Sequence, residues 1–266
     1  MTKLKLKQID NFKFLEDGHT YELGGKLLTG VTTILQVRAK DFLKWWTVKL
    51  MWENLTGKIE DIKKMNEVEY EELILNAKKA HTVKSKEALV SGTIAHNWIE
   101  EYIKGKIEGQ DVSDKQFPED LNAANSIHIF LDWEGQHEVE WLASEVVLPS
   151  ILNLFAGTID FVAKIDGVMT LGDFKTSNQI SEDVALQTAA YSILLDENLL
   201  EGEERPTQRV VLRIPKAGME FEYQRIDTEL EFDKQIFLHL REIHRWNLYI
   251  ENNFKVEAKV KLQKND

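Results

Sequence analysis

The sequence predicts an α/β protein, a mixed central β-sheet flanked by helices with a helical N-terminal elaboration. Three observations carry that prediction. Residues 155–175 alternate apolar and polar side chains on either side of Asp166-Gly167, the strongest short-range signal for a hairpin. Further strand-like runs occupy 138–148, 209–214 and 220–226. Helical patterns at 119–136, 182–195 and 229–253 fall between and after them, and that alternation builds a sheet covered by helices.

From the start of the chain, residues 11–28 read as a small β unit with turns at Asp17-Gly18 and Gly24-Gly25. Thr29–Thr33 then open a short helix, where threonine hydroxyls serve either as an N-cap or, with free N–H groups, as a phosphate contact; Thr32 is the candidate residue. Asp41–Leu55 is an amphipathic helix carrying Trp45, Trp46 and Trp52 beside Lys44 and Lys49. Such a stripe is most often core; Trp45 is its candidate for stacking on a base. Residues 56–90 are helical and rich in lysine among acids, and Ser91–Gly105 continues or restarts that helix with His96 on it. Residues 105–118 read as a loop, and a helix over 119–136 and a strand over 138–148 lead into the hairpin. Glu145, on that strand, reads as an exposed strand residue or a further acid near the hairpin, with the first favoured. After the hairpin, the helix from Ser181 sets Gln187 and Tyr191 four residues apart on one face. No linker or repeat divides the chain, so a 1–90 elaboration and a 91–266 core are expected to form one compact unit.

Composition narrows the function. The 266 residues contain no cysteine, which removes disulfides, thiolate zinc sites, iron–sulfur clusters and cysteine nucleophiles together. A net charge of −12, from 33 basic and 45 acidic residues, argues against coating nucleic acid by bulk charge, though not against a local basic groove. No long apolar run or secretory signal is evident, which points to the cytoplasm and away from membranes. Phosphate-loop, nucleophile-elbow and His-Glu-x-x-His patterns are all missing.

The hairpin remains as the candidate centre. A two-residue loop places Ile165 opposite Val168, and counting back along both strands brings Asp160 opposite Asp173. Without a bulge their Cβ atoms would lie ~5 Å apart. Lys175 follows on the face of Asp173, while Ile159, Phe161, Ala163, Ile165, Val168 and Phe174 are expected on the other. Two facing carboxylates need neutralising, and a divalent cation with a lysine beside it would do so. Asp-x-Lys alone is weak evidence: it recurs at Asp61-Ile62-Lys63, where no chemistry is expected.

Context strengthens the second occurrence. GTIAH on a helix, GTID and DFK in a hairpin, and Gln-x-x-x-Tyr on a later helix come in that order. The set resembles the RecB-like branch of the PD-(D/E)XK nuclease superfamily over residues 91–191, and GVTTIL with the Trp-rich helix is similar to the mitochondrial genome-maintenance exonuclease and phage relatives. The resemblance implies a restriction-endonuclease-like fold and a metal-dependent DNA exonuclease acting on ends or single strands in recombination, repair or replication; the alternatives are an endonuclease of restriction or junction-resolving type on the same core and, in another class, a catalytically silent DNA-binding or assembly module. It makes His96, Asp160, Asp173 and the Phe174 carbonyl ligands of Mg²⁺, for which Mn²⁺ can substitute. Asp160, Asp173 and Lys175 become the catalytic group, with Lys175 as the catalytic lysine. Gln187 and Tyr191 become a pair that contacts DNA or orders Lys175. The partner implied is DNA, alone or with a recombination or replication protein, and residues 1–90 are expected to touch it. The iron–sulfur cluster of some branch members is impossible here, and Ile159 stands where the superfamily's nominal motif has proline.

Overall fold

The computed structural model describes residues 3–38, 41–56, 58–176, 179–214 and 221–263; the side chains of residues 41–46, 54, 59–60, 78–89 and 255–263 lie outside that description. Strands β1 (Phe12–Leu15), β2 (Thr20–Leu23) and β3 (Lys26–Gly30) form an antiparallel meander through the two expected turns. Helix α1 (Val31–Leu35) follows, with Gly30 as its N-cap and no side-chain cap bond, so the threonines do not cap it. Helices α2 (Asp41–Thr56), α3 (Ile59–Ile62), α4 (Glu67–Glu108) and α5 (Leu121–Glu134) come next. Strands β4 (Val139–Ser150), β5 (Phe155–Ile165) and β6 (Val168–Lys175) then precede α6 (Asp183–Asn198), β7 (Gln208–Arg213), β8 (Glu222–Arg225) and α7 (Leu230–Gln263). Among the described residues no helix is long and apolar enough to cross a membrane.

Helix α4 is one unbroken element of 42 residues, so Ser91–Gly105 continues a helix rather than starting one. A capping box opens it: the Asn66 side chain accepts from the Glu69 N–H at 3.0 Å, and the Glu69 carboxylate accepts from the Asn66 N–H at 2.8 Å. Its first turns bury Leu73 and Ala77 in the region packed with α2, which buries Leu50. Trp52 of α2 is 67% exposed, against the expected core stripe; the side chains of Trp45 and Trp46 lie outside the described residues.

The eight-stranded sheet is mixed, in the order β1-β2-β3-β5-β6-β7-β8, with β4 on the other edge of β5. Helices cover both faces. One cluster joins α1, α6 and α7 through Ile34, Leu194 and Phe237 to Ile159, Val162 and Leu171. The other joins α4 and α5 through Ile99, Ile103, Ile127 and Phe130 to Phe161, Phe174 and Leu212. This is the α/β architecture that the pattern of elements predicts.

Three departures shape the centre of the sheet. The hairpin turns at Asp166 (φ 50°) and Gly167 (φ 81°), and the expected register holds from Ile165↔Val168 to Phe161↔Gly172. There the pairing with β5 stops: β6 parts from β5 but stays paired on its other edge to the parallel β7, from Thr170 through Lys175, while β3 takes up the vacated edge of β5 at Phe155 and Ala156. The stretch from Gly157 to Asp160 therefore faces a split in the sheet. Secondly, alternation breaks at Asp160. Ile159 packs in the cluster with α6 while Phe161 packs in the other, so Ile159 is not on the face expected of it; Val168 is 39% exposed at the strand start. Thirdly, Glu145 adopts φ 50° in the middle of β4, between residues paired to either side of Asp160. A left-handed conformation at a non-glycine strand residue costs on the order of 1–3 kcal/mol and re-aims the side chain.

Candidate active site

The split is where acidic and basic side chains from four elements converge. Phe174 has lost its ladder partner on β5, and the Asp160 carboxylate supplies one: its Oδ2 accepts from the Phe174 N–H at 2.7 Å. Asp160 and Asp173 thus come together as expected, through this bridge rather than as a regular cross-strand pair. Asp173 is wholly buried. Lys175 Nζ stands 2.6 Å from Asp173 Oδ2, and Asp173 Oδ1 has no partner among the described residues.

Helix α4 brings His96 to the same place. Its Nε2 lies 3.7 Å from Asp160 Oδ2 and 3.5 Å from Glu145 Oε1, and its ring meets that of Phe174 edge-on at 6.1 Å. One ligand atom from each of His96, Glu145 and Asp160 falls within 4.8 Å of the other two. Glu145 is therefore not an exposed strand residue, the reading its sequence context favoured. No motif could have announced it, because its approach depends on the left-handed turn of β4 and on a four-residue β4–β5 connection with no turn signature.

Lys175 also donates to Gln187 Oε1 at 3.0 Å, and Gln187 Nε2 donates to the Tyr191 hydroxyl at 2.8 Å. Gln187 and Tyr191 are both buried, at 7% and 3% exposure. They stand behind the lysine and fix its ammonium, so of the two roles open to them the geometry favours ordering Lys175 over touching a polymer. On the other side of the split, Tyr21 of β2 hydrogen-bonds Thr158 at 3.1 Å and His19 at 3.0 Å, which joins the N-terminal unit to the strand that carries Asp160. Thr32 is exposed in the first turn of α1, Trp45 has no described side chain, and Asp61-Ile62-Lys63 lies in and just after α3, apart from these residues.

The charges are heavily coupled. Burial alone would lower the pKa of His96; the Asp160 carboxylate, with Glu145 and Glu100, overcomes it and holds the ring up to about 9. Burial, then repulsion from Asp160, pushes Glu145 up to about 7. Asp173 is raised by burial and by Asp160, against the pull of Lys175. Burial would strip the Lys175 proton, yet Asp173 and Asp160 raise its pKa above the ordinary lysine value. Carboxylates that retain protons, beside a histidine that refuses to lose one, describe a site short of positive charge.

A divalent cation fits that shortage. The donors that converge are carboxylate oxygens and one imidazole nitrogen, from His96, Glu145 and Asp160; Asp173, outside that group, has a buried carboxylate oxygen with no partner among the described residues, and there is no thiolate to favour a softer metal. Among curated proteins none matches the chain. The family model of the PD-(D/E)XK nuclease superfamily matches residues 69–259, which include all of α4 after its first two residues, the hairpin with Asp160, Asp173 and Lys175, and the helix with Gln187 and Tyr191. A match over more than two thirds of the chain, centred on this cleft, makes the protein a member of the PD-(D/E)XK nuclease superfamily.

Proposed function

We propose that this nuclease is a metal-dependent DNA exonuclease working on ends or single strands, in recombination, repair or replication. The observation that carries the reading is the convergence of His96, Glu145 and Asp160 beside the buried Asp173–Lys175 pair. His96, Asp160, Asp173 and the Phe174 carbonyl hold the cation, and Glu145 joins them. Oxygen-rich ligation favours Mg²⁺, and the imidazole lets Mn²⁺ substitute. When bound, such a cation supplies Lewis-acid polarisation of a phosphate and a water of lowered pKa.

The remaining work falls to the chain's own groups. Lys175 is kept charged by Asp173 and aimed by Gln187, so it presents a fixed ammonium to the charge that builds on phosphoryl oxygens during attack. Asp160 holds the Phe174 peptide in place, and Tyr191 holds Gln187. Attachment of the β1–β3 unit to β5 at Phe155 and through Tyr21 to Thr158 supports substrate contact from the 1–90 segment. The RecB-like order of motifs, with a histidine on the helix before the hairpin and Gln-x-x-x-Tyr after it, is what favours an exonuclease.

The test uses end-labelled linear and closed circular single-stranded DNA with Mg²⁺ or EDTA, beside Lys175→Ala. Loss of the linear strand alone, with Mg²⁺ and wild-type protein only, is the expected result. Cutting of the circle would make the protein an endonuclease, and cutting by the variant would remove Lys175 from the site.

A further inference from the structure

One contact joins the helix that carries His96 to the strand that carries Asp173 and Lys175. Gly92 lies one turn before His96 on α4, on a buried face, and Thr176 directly follows Lys175. A Cβ built on Gly92 would sit 2.5 Å from Thr176 Oγ1 and 3.2 Å from Thr176 Cβ. Glycine inside a helix costs about 1 kcal/mol relative to alanine, so its presence in the middle of α4 calls for a compensating reason. The neighbouring residue is tied as well: Ser91 Oγ donates to Asp120 Oδ2 at 3.1 Å, and Asp120 caps α5 by accepting from the Ala123 N–H at 2.7 Å. Val90, just before, is 57% exposed. Residues 91 and 92 are thus the point where the long helix meets the core and is held by two contacts.

We infer that Gly92 is a positioning residue for the metal centre: its bare Cα lets α4 lie against Thr176 and so holds His96 within reach of Asp160 and Glu145. The inference rests on the proposed metal-dependent function. A methyl group at position 92 requires the Thr176 hydroxyl to swing aside and Thr176 Cβ, 3.2 Å away, to give by a few tenths of an ångström, more than the ~0.2 Å within which metal–ligand distances are held. The His96 Nε2 separations of 3.5 Å from Glu145 and 3.7 Å from Asp160 would open accordingly.

The experiment measures Mn²⁺ affinity of the full chain by calorimetry, with circular dichroism to follow folding. Gly92→Ala is expected to bind Mn²⁺ about tenfold more weakly or worse, the usual effect of disturbing the shell behind a ligand. Thr176→Ala added to it removes the colliding hydroxyl and restores affinity to within about threefold of wild type. In a His96→Ala background, Gly92→Ala costs nothing further, since the ligand it positions is gone. Wild-type affinity in Gly92→Ala overturns the inference. So does a loss of affinity or of fold that Thr176→Ala fails to relieve, or a loss of the same size in the His96→Ala background, which would mean a general loosening. Mn²⁺ binding that survives Asp160→Ala is a different result, and it overturns the proposed function itself.

Discussion

Stripped of divalent cations, this protein should lose stability as pH rises. His96, Glu145 and Asp173 all act in that direction, the last because burial and Asp160 raise its carboxyl too. His96 is held at about 9 in the folded protein against an ordinary 6.5, because Asp160 and its acidic neighbours outweigh burial. A basic group raised in this way stabilises the fold fully below pH 6.5, and the contribution disappears as pH climbs through 9. The gap between about 9 and 6.5 is worth about 3 kcal/mol. Glu145, raised from 4.5 to about 7, acts in the same direction at lower pH: the folded carboxyl holds its proton more tightly than the unfolded one, so its contribution is lost between pH 4.5 and 7. Both shifts draw on Asp160, so they do not simply add. For a domain of this size about 3 kcal/mol is roughly 6–12 °C in melting temperature. The assay is thermal unfolding in EDTA from pH 6 to 9.5, repeated with Mg²⁺ or Mn²⁺ and with Asp160→Asn. The EDTA curve should fall across that range, the variant should flatten it, and the cations should stabilise more at pH 9 than at pH 6, since they compete with the same protons. A melting temperature in EDTA that is flat from pH 6 to 9.5 would refute the charge argument, as would equal stabilisation by cation at every pH.

Other consequences follow from single contacts. Lys175→Ala and Asp173→Ala should each lower DNA cleavage by about 10²-fold or more while circular dichroism stays that of wild type; turnover near wild type in either would remove that residue from the site. Tyr191→Phe takes away the acceptor of the Gln187 amide, so cleavage should fall about tenfold with at most ~1.5 kcal/mol lost from stability in urea. Asp233→Ala strands Arg209, which is buried and bonded to Asp233 at 2.8 Å and to the Ala185 carbonyl at 2.9 Å; unfolding in urea should show a loss of about 3–5 kcal/mol, and a loss under ~1 kcal/mol would mean that water reaches the guanidinium.

The hairpin was legible because its turn is local chemistry. Asp166-Gly167 sets the two-residue loop, and from there the period of two carries the register as far as Phe161 and Gly172. Past that point local rules stop applying: β6 parts from β5 while staying paired to β7 on its other edge, Asp160 replaces a backbone acceptor for Phe174, and Ile159 turns to the opposite face. These are consequences of where β3, β7 and α6 dock, which no stretch of sequence encodes by itself. His96 could be proposed from the order of motifs around it, but nothing in its own turn of helix distinguishes a ligand from a buried structural histidine. Glu145 escapes the sequence pattern for a related reason. Its strand pattern reads correctly, and only the left-handed backbone at that one residue takes the side chain away from the alternation.

Charge balance ties these observations to the metal. Glu145, Asp160 and Asp173 bring three carboxylates to one split in the sheet, and Lys175 is the lysine paired among them. The cation-free protein makes up the shortfall with protons, retained on His96 up to about 9 and on Glu145 up to about 7. Two protons carry the charge of one divalent ion. With those protons removed and Mg²⁺ supplied, three negative charges stand against the lysine and the cation, and the loaded centre is neutral. Neutrality matters for a chain with a net charge of −12, because a phosphodiester must approach this cleft against the field of the whole molecule. Overall acidity therefore argues against loose coating of nucleic acid and leaves catalysis at a metal-balanced cleft untouched. Binding of Mg²⁺ should therefore release more protons at pH 6, where Glu145 and Asp173 are held protonated as well as His96, than at pH 8, where His96 is the main source. Calorimetry in buffers of different ionisation enthalpy reads that number directly, and a proton count independent of pH would mean that His96 and Glu145 are not where the cation binds.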